Sequence, residues 1–565
     1  MEKFKDLEYK RPDFAAAKKT LGAVTKKVKA AKSYDDYRAA YLEMEQGIIE
    51  LYTMSTVCHV RNTLDKRDPF YEAEQKAISA GTAKLGLAMQ KAQKALTESP
   101  FRAEFDKEYG PHLMKDMETD LKLMSPKIIG LMIKESNLTQ TYSKDAALCK
   151  TVFRGEECNF YGLLKHMEST DRDERREAFR AWAALYESVS AKLDATYDKL
   201  VALRVKKAKR LGFANFIDYI YPARGRYDYT AEDAARFRAQ VRDVIVPFCA
   251  ELYAKQKERL GIDELHWYDE ALVFPEGNAL PLGTKDELVE KARQMYRALS
   301  AETGEYFDFM CEHELFDLET RPGKHLGGYC TFMPAFKAPF IFSNFNGTSA
   351  DVDVLTHEAG HAFQAYIASR TLPLANQIQS TSEINEIHSM SMEHFAYPYM
   401  EAFFGENVNK YLYSHLCQAL TVIPYLVSVD EFQHRVFENP KMSAAERRAA
   451  WQEIEQIYLP WRDYDGNEFL AGGGFWMQKQ HIFLYPFYYI DYALAQICAF
   501  QFLAKDRADH ASAWADYLKL CKSGGSLGYF DTLKYAGLDN PFEEGTVEKV
   551  MACVKATIAE FEAKL

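Results

Sequence analysis

The chain of 565 residues lacks a cysteine framework. Its ten cysteines are scattered, Cys58, Cys149, Cys330, Cys498 and Cys553 among them, and no two form a C-x-x-C pair. That excludes a thiolate metal knuckle and a disulfide-stapled scaffold, and it suits reduced thiols. Basic clusters are missing as well: 82 acidic residues against 70 Lys and Arg leave a net charge of -12. Such a balance leaves out a nucleic-acid footprint and disfavours anionic membrane surfaces. The opening stretch MEKFKDLEYKRPDF has no apolar core, so it does not read as a secretory signal, and a cytoplasmic location is expected. There is no Ser/Gly-rich linker, no low-complexity segment and no internal repeat. Strand-like runs are few, chiefly around residues 327–331 and 340–344.

One apolar stretch, HIFLYPFYYIDYALAQICAFQFLA from His481 onward, is about long enough to cross a bilayer. Pro486, Asp491, Gln496 and Gln501 interrupt it, and that polarity is costly in lipid. It is expected to be a helix buried in protein, and no membrane partner is expected. Elsewhere helical periodicity dominates, as in DRDERREAFRAWAALYESVSAKLDATYDKLVALRVKKAKRLG and TAEDAARFRAQVRDVIVPFCAELYAKQKERLG. The fold class that follows is mostly α: a large multi-helix protein with a small β-sheet.

Within this scaffold, residues 357–361 read HEAGH. On a helix, positions i and i+4 lie one above the other, so His357 and His361 can grip one metal ion. Glu358 stands beside them, able to take a proton from water. The surroundings supply a helix: VDVLTHEAGHAFQAYIASR is broken only by Gly360, and Pro373 closes it. Thr348 and Asp351 stand at capping-box spacing before it. Gly360 inside the helix implies close packing at that point. The plainer alternative is a buried helix whose histidines satisfy local hydrogen bonds. Asp353 and Asp351 lie close enough in sequence to accept a ring N–H, but neither is counted as a metal ligand.

A third ligand is expected from the segment STSEINEIHSMSMEHFAYPYMEAFF, which reads as a second helix. Ser380 and Glu383 are at capping-box spacing, so Glu383 belongs to the first turn. Glu386 and Glu393 are seven apart and share a face. Glu386 is the expected ligand, and Glu393 the group that orients a histidine. His388 and His394 point away from that face and read as structural or surface residues.

These residues resemble the oligoendopeptidase F and thimet oligopeptidase family of zinc peptidases. The resemblance is carried by HEAGH, the 24 residues that follow it, and Glu386 opening an E-x-x-S-x-x-x-E stretch. The upstream PFIFSNFNGTSADVDVLTHEAGH resembles the family's strand, Asn-Gly turn and motif helix. His481 followed by Tyr485, Tyr489 and Tyr492 resembles its His-and-tyrosine loop, and GGSLGYFDTLKYAGLD its closing segment. The likeness is best from about residue 150 to the C-terminus. It implies an N-terminal helical region, 1–150, and a peptidase region, 151–565, wrapping a deep channel that admits short, unstructured peptides.

The resemblance also implies one Zn2+ per chain, held by His357, His361 and Glu386, with Glu358 as general base. Attack on a peptide carbonyl builds an oxyanion that needs donors from another segment. His481, Tyr489 and Tyr492 are the candidates, with Tyr485 weaker. Ala338–Asn344 reads as an edge strand to which substrate could add through main-chain bonds. The Ala471-Gly472-Gly473-Gly474 loop reads either as a segment able to close on substrate or as an ordinary surface loop. The expected function is hydrolysis of internal bonds in oligopeptides. A zinc carboxypeptidase or dipeptidyl carboxypeptidase, and a non-catalytic peptide-binding module, are the alternatives.

Overall fold

Long amphipathic segments become long helices in the computed structural model, which describes residues 1–565. Arg172–Arg210 is one helix, opened by the Asp171 carboxylate accepting from the Asp173 amide. Thr230 and Asp233 form a reciprocal capping box at the head of Ala231–Gln240. That helix runs through a π-turn, Val241–Ile245, into Val246–Leu260, where Gly261 closes it at φ 65°.

Two compact units arise from discontinuous segments: 1–122, 280–408 and 498–540 in the first, and 123–279, 409–497 and 541–565 in the second. The chain passes between these units five times; the regions 1–150 and 151–565 expected from the family resemblance are a different kind of division, by likeness along the chain and not by compactness. In the first unit, Leu21 and Val24 of Phe14–Ala30 pack with Tyr37, Tyr41 and Leu85 from the two following helices. In the second, Trp182, Trp267 and Phe475 form an aromatic core.

Strands are few and short. β1 (Lys150–Phe153) and β2 (Glu156–Asn159) form a hairpin. β3 (Phe316–Glu319), β4 (Tyr329–Met333) and β5 (Ala338–Phe345) form a sheet of order β3-β5-β4. The expected edge strand is therefore central: β5 pairs parallel with β3 and antiparallel with β4. Its residues 338–343 are all buried, and such a continuous run marks a strand covered on both faces rather than a half-exposed edge. β4 is the edge on this side, with four of its five residues only partly buried.

The glycine loop also differs from a flexible closing segment. A Cβ on Gly473 would stand 2.0 Å from the Arg448 carbonyl oxygen, and one on Gly474 2.6 Å from that of Phe469. These glycines are present for close backbone approach. The apolar stretch from His481 is buried in protein as expected, but it is not one helix. It breaks between Gln480–Leu484 and Ile490–Ala508, with Phe487 at φ 62°. Another stretch, Glu401–Glu438, has the length and hydropathy of a membrane span; 72% of its apolar window is buried, and breaks near Gly405 and Val422 divide it into three helices.

Candidate metal centre

The HEAGH residues lie on a helix over Ala350–Thr371 (hereafter the motif helix). Its start departs from the expected capping box. Thr348 donates its hydroxyl to Asn346 Oδ1, while buried Asp351 accepts the amides of Asn346 (2.9 Å) and Gly347 (2.7 Å). The carboxylate thus fastens the Asn-Gly turn to the positive end of the helix. The second helix, Ser382–Phe395, begins after Thr381 rather than Ser380, with Glu383 buried in its first turn.

The two helices cross at Gly360. A Cβ there would lie 2.7 Å from Ser389 Cα and 2.8 Å from the His388 carbonyl oxygen, both backbone atoms. Gly to Ala inside a helix ordinarily stabilises by roughly 1 kcal/mol. Overpacking against atoms that cannot yield costs about 1–3 kcal/mol, so Gly360→Ala is expected to lower the thermal midpoint. A raised midpoint would refute the close crossing. Tyrosines brace the pair: Tyr296 donates to the Leu355 carbonyl (2.9 Å), Tyr306 to that of Ala359 (3.2 Å) and Tyr517 to that of His388 (2.8 Å).

Across this contact three donor atoms converge. Glu386 Oε2 lies 3.4 Å from His357 Nε2 and 3.5 Å from His361 Nε2. One ligand atom from each residue falls within 4.8 Å of the others. A tetrahedral zinc with ligands at about 2.0–2.1 Å would separate them by roughly 3.3–3.4 Å, so the donor set fits that ion in both chemistry and span. The imidazole rings stand nearly perpendicular, at 87°.

The electrostatics also suit a cation. Burial alone would raise the Glu386 carboxyl, but His361 and His357 outweigh it and hold the group well below the usual carboxylate range. Burial likewise opposes a charged His357, yet hydrogen bonds with Glu386 and Glu393 push that imidazole well above its ordinary value. Two carboxylates facing one imidazole draw positive charge into the site.

The expected orienting residue is in place: His357 Nδ1 lies 2.5 Å from Glu393 Oε1. This leaves Nε2 to face the other donors. Ser389, unassigned from sequence, donates to Glu386 Oε2 at 3.1 Å and so steadies the carboxylate. Outer partners of this kind are worth about 10–100-fold in metal affinity. Glu393→Gln is expected to weaken metal retention by that factor, read by competition with a chelator. Equal retention would remove Glu393 from this role. His388 and His394 are both buried, so neither is a surface residue; burial pushes His388 down to about 3.

Glu358 projects beside the sheet. A Cβ built on Gly328, the residue before β4, would lie 3.9 Å from Glu358 Oε1 and 3.3 Å from the Phe342 carbonyl oxygen. Glycine at 328 keeps the space next to this carboxylate clear. Cys330 on β4 is also near enough to feel the Glu358 charge.

His481, Tyr489 and Tyr492 belong to the second unit, where they form one aromatic cluster. The His481 ring lies 4.8 Å from Tyr489, and Tyr489 lies 5.8 Å from Tyr492. Tyr485 is 5.9 Å from His481 and 55% exposed. Tyr488, which sequence reasoning passed over, stacks on His481 at 5.9 Å and 11°. Burial first, then Lys479 and Arg224, push His481 down to about 4, so it is neutral near pH 7. Its Nδ1 is buried without a partner.

Arginines hold this segment by its backbone. Arg204 donates to the carbonyls of Ile482 and Phe483, Arg224 to that of Pro486 (2.8 Å), and Arg226 to that of Phe487 and to Asp491. Gln433 accepts the Phe487 amide at 2.9 Å. Only helical periodicity was visible at these arginines in the sequence; nothing there marked them as partners of residues some 260–280 positions away.

Comparison with known proteins gives a consistent picture. The family model described as peptidase family M3 matches residues 165–279 and 303–552, and the peptidase M3 N-terminal domain matches 4–124. An oligoendopeptidase F homolog from Borreliella burgdorferi is 22% identical over 325 residues, 56% of this chain. The chain spans 54% of that relative's length. Among solved structures, PZ peptidase A with an inhibitor is 43% identical with a TM-score of 0.93, covering 100% of both chains. A Bacillus anthracis structure assigned as an oligoendopeptidase F is 41% identical with a TM-score of 0.88, covering 100% of this chain and 99% of its own.

Proposed function

The chain belongs to peptidase family M3, and from that premise we propose that it is a zinc-dependent endopeptidase of short, unstructured oligopeptides. The observation that carries this is the convergence of His357, His361 and Glu386, with Glu358 directly after the first histidine on the same helix. These three residues would hold one ion. When bound, zinc polarises a scissile carbonyl and lowers the pKa of water.

The remaining chemistry falls to side chains. Glu358 accepts a proton from the attacking water and returns it to the leaving amine. Glu393 keeps the His357 ring in register, and Ser389 does the same for the Glu386 carboxylate. His481 and the hydroxyls of Tyr489 and Tyr492 would donate to the oxygen that gains charge during attack. The β4 edge, running on from Gly328 beside Glu358, offers main-chain groups to an extended peptide. Recognition through backbone tolerates many side chains. With ten free cysteines and a surplus of acidic residues, the protein suits a reducing cytoplasm.

The test combines metal content with cleavage of an internally quenched peptide blocked at both ends. One zinc per chain and cleavage at an internal bond are expected. Cleavage only when the C-terminus is free would instead make this a carboxypeptidase, and metal-free binding without cleavage would make it a peptide-binding module.

A further inference from the structure

Two cations frame the His481 cluster, and neither has a carboxylate within ion-pair distance. The Lys479 ammonium lies over the Tyr489 ring at 4.7 Å and the Tyr425 ring at 5.5 Å. The Arg224 guanidinium lies over Tyr488 at 4.9 Å and spends its Nε on the Pro486 carbonyl. Both residues are partly buried. In the same unit Arg226 faces Asp491, Arg238 faces Asp430, Arg447 faces Asp194 and Arg462 faces Glu270.

Withdrawing a cation from water without a counter-ion is costly. Aromatic faces offset about 0.5–2 kcal/mol of that and supply no negative charge. Asp491 is near enough for Arg224 to feel its charge, but it is paired with Arg226, and Lys479 has only aromatic faces; in a chain of net charge -12 this pair of cations points to an anion that arrives from outside. Both charges reach the imidazole at the centre of the cluster, as the lowered His481 value records.

We propose that Lys479 and Arg224 bind a carboxylate of the peptide substrate, either its C-terminus or an Asp or Glu side chain, giving the enzyme a preference for anionic peptides. This rests on the peptidase assignment above and adds the charge of the substrate to it. The protein's own negative field would repel such peptides, and a local pair of cations would offset that repulsion.

The experiment uses one internally quenched peptide in four forms: free C-terminal acid, C-terminal amide, amide with one internal Glu, and amide with Gln at that position. A charge-assisted contact predicts kcat/KM about tenfold higher for a carboxylate form than for its neutral counterpart, mostly through KM. The first pair reads a terminal carboxylate and the second a side-chain one. The ratio should fall toward one in Lys479→Ala and invert in Lys479→Glu. Lys199→Ala, which removes an exposed charge from the Arg172–Arg210 helix, should keep the wild-type ratio.

Arg224→Gln also loses the bond to Pro486. Arg224→Lys keeps the charge and should preserve the ratio where Gln does not. Equal kcat/KM for both members of each pair, or a ratio untouched by Lys479→Glu, would overturn the proposal. Should the wild-type enzyme cut none of the four, the peptidase assignment itself fails. The carboxylate preference is then read from fluorescence anisotropy: about tenfold tighter binding of an acidic form upholds it, and equal binding overturns it.

Discussion

Glu358→Gln is expected to keep one metal ion per chain while kcat falls by about three orders of magnitude. Proton transfer by a positioned carboxylate is worth about 10²–10⁴-fold, and the amide is nearly the same shape but cannot accept the proton. Retention of metal follows from the geometry: the converging donors come from His357, His361 and Glu386, and Glu358 is not among them. One residue beyond His357, it lies about 100° further round the helix, turned toward Gly328 and the sheet. Metal analysis and turnover of the quenched peptide check the two halves separately. An unchanged rate would end the role of Glu358 as base; lost metal would mean that it is a ligand.

Glu386→Ala should act at the other end of the same division, on the ion itself. Glu386 is buried, and its carboxylate is what the two imidazoles share. Removing one partner from a buried charged cluster costs about 3–5 kcal/mol, or about two to nearly four orders of magnitude in binding. Dialysed Glu386→Ala protein should therefore carry far less than one zinc per chain and show no turnover without added metal. Glu383→Ala is the companion. Glu383 is equally buried but stands outside the converging donors, so its loss should reduce stability and leave zinc content unchanged. Zinc retained in Glu386→Ala, or lost in Glu383→Ala, would reverse the two assignments.

The centre was legible because most of it is local. His357 and His361 are one helical turn apart, and Glu386 and Glu393 two turns apart, so helical periodicity alone placed each pair on a face. Gly360 read correctly as a close approach because glycine inside a helix has a cost that packing must offset. Helix starts were less legible. Asp351 bonds backward to Asn346 and Gly347 and leaves the spaced Thr348 unused for capping, since a carboxylate can satisfy amides on either side of it. The central position of β5 and the tight packing of Gly473 escaped for another reason: both depend on partners at β3 and at Arg448, which no local pattern names.

Read by itself, the sequence placed His357 and His361 where they could share one ion, because the i,i+4 repeat of a helix is a property of neighbouring residues. Tertiary structure alone decided that Glu393 meets Nδ1 of His357 while Glu386 meets Nε2 of both histidines. It likewise decided that arginines from one stretch of chain hold the carbonyls around His481. Those pairings follow from a backbone contact at Gly360 and from helices joined across long separations, where the energy lies in packing between segments and not in the order of residues along either one.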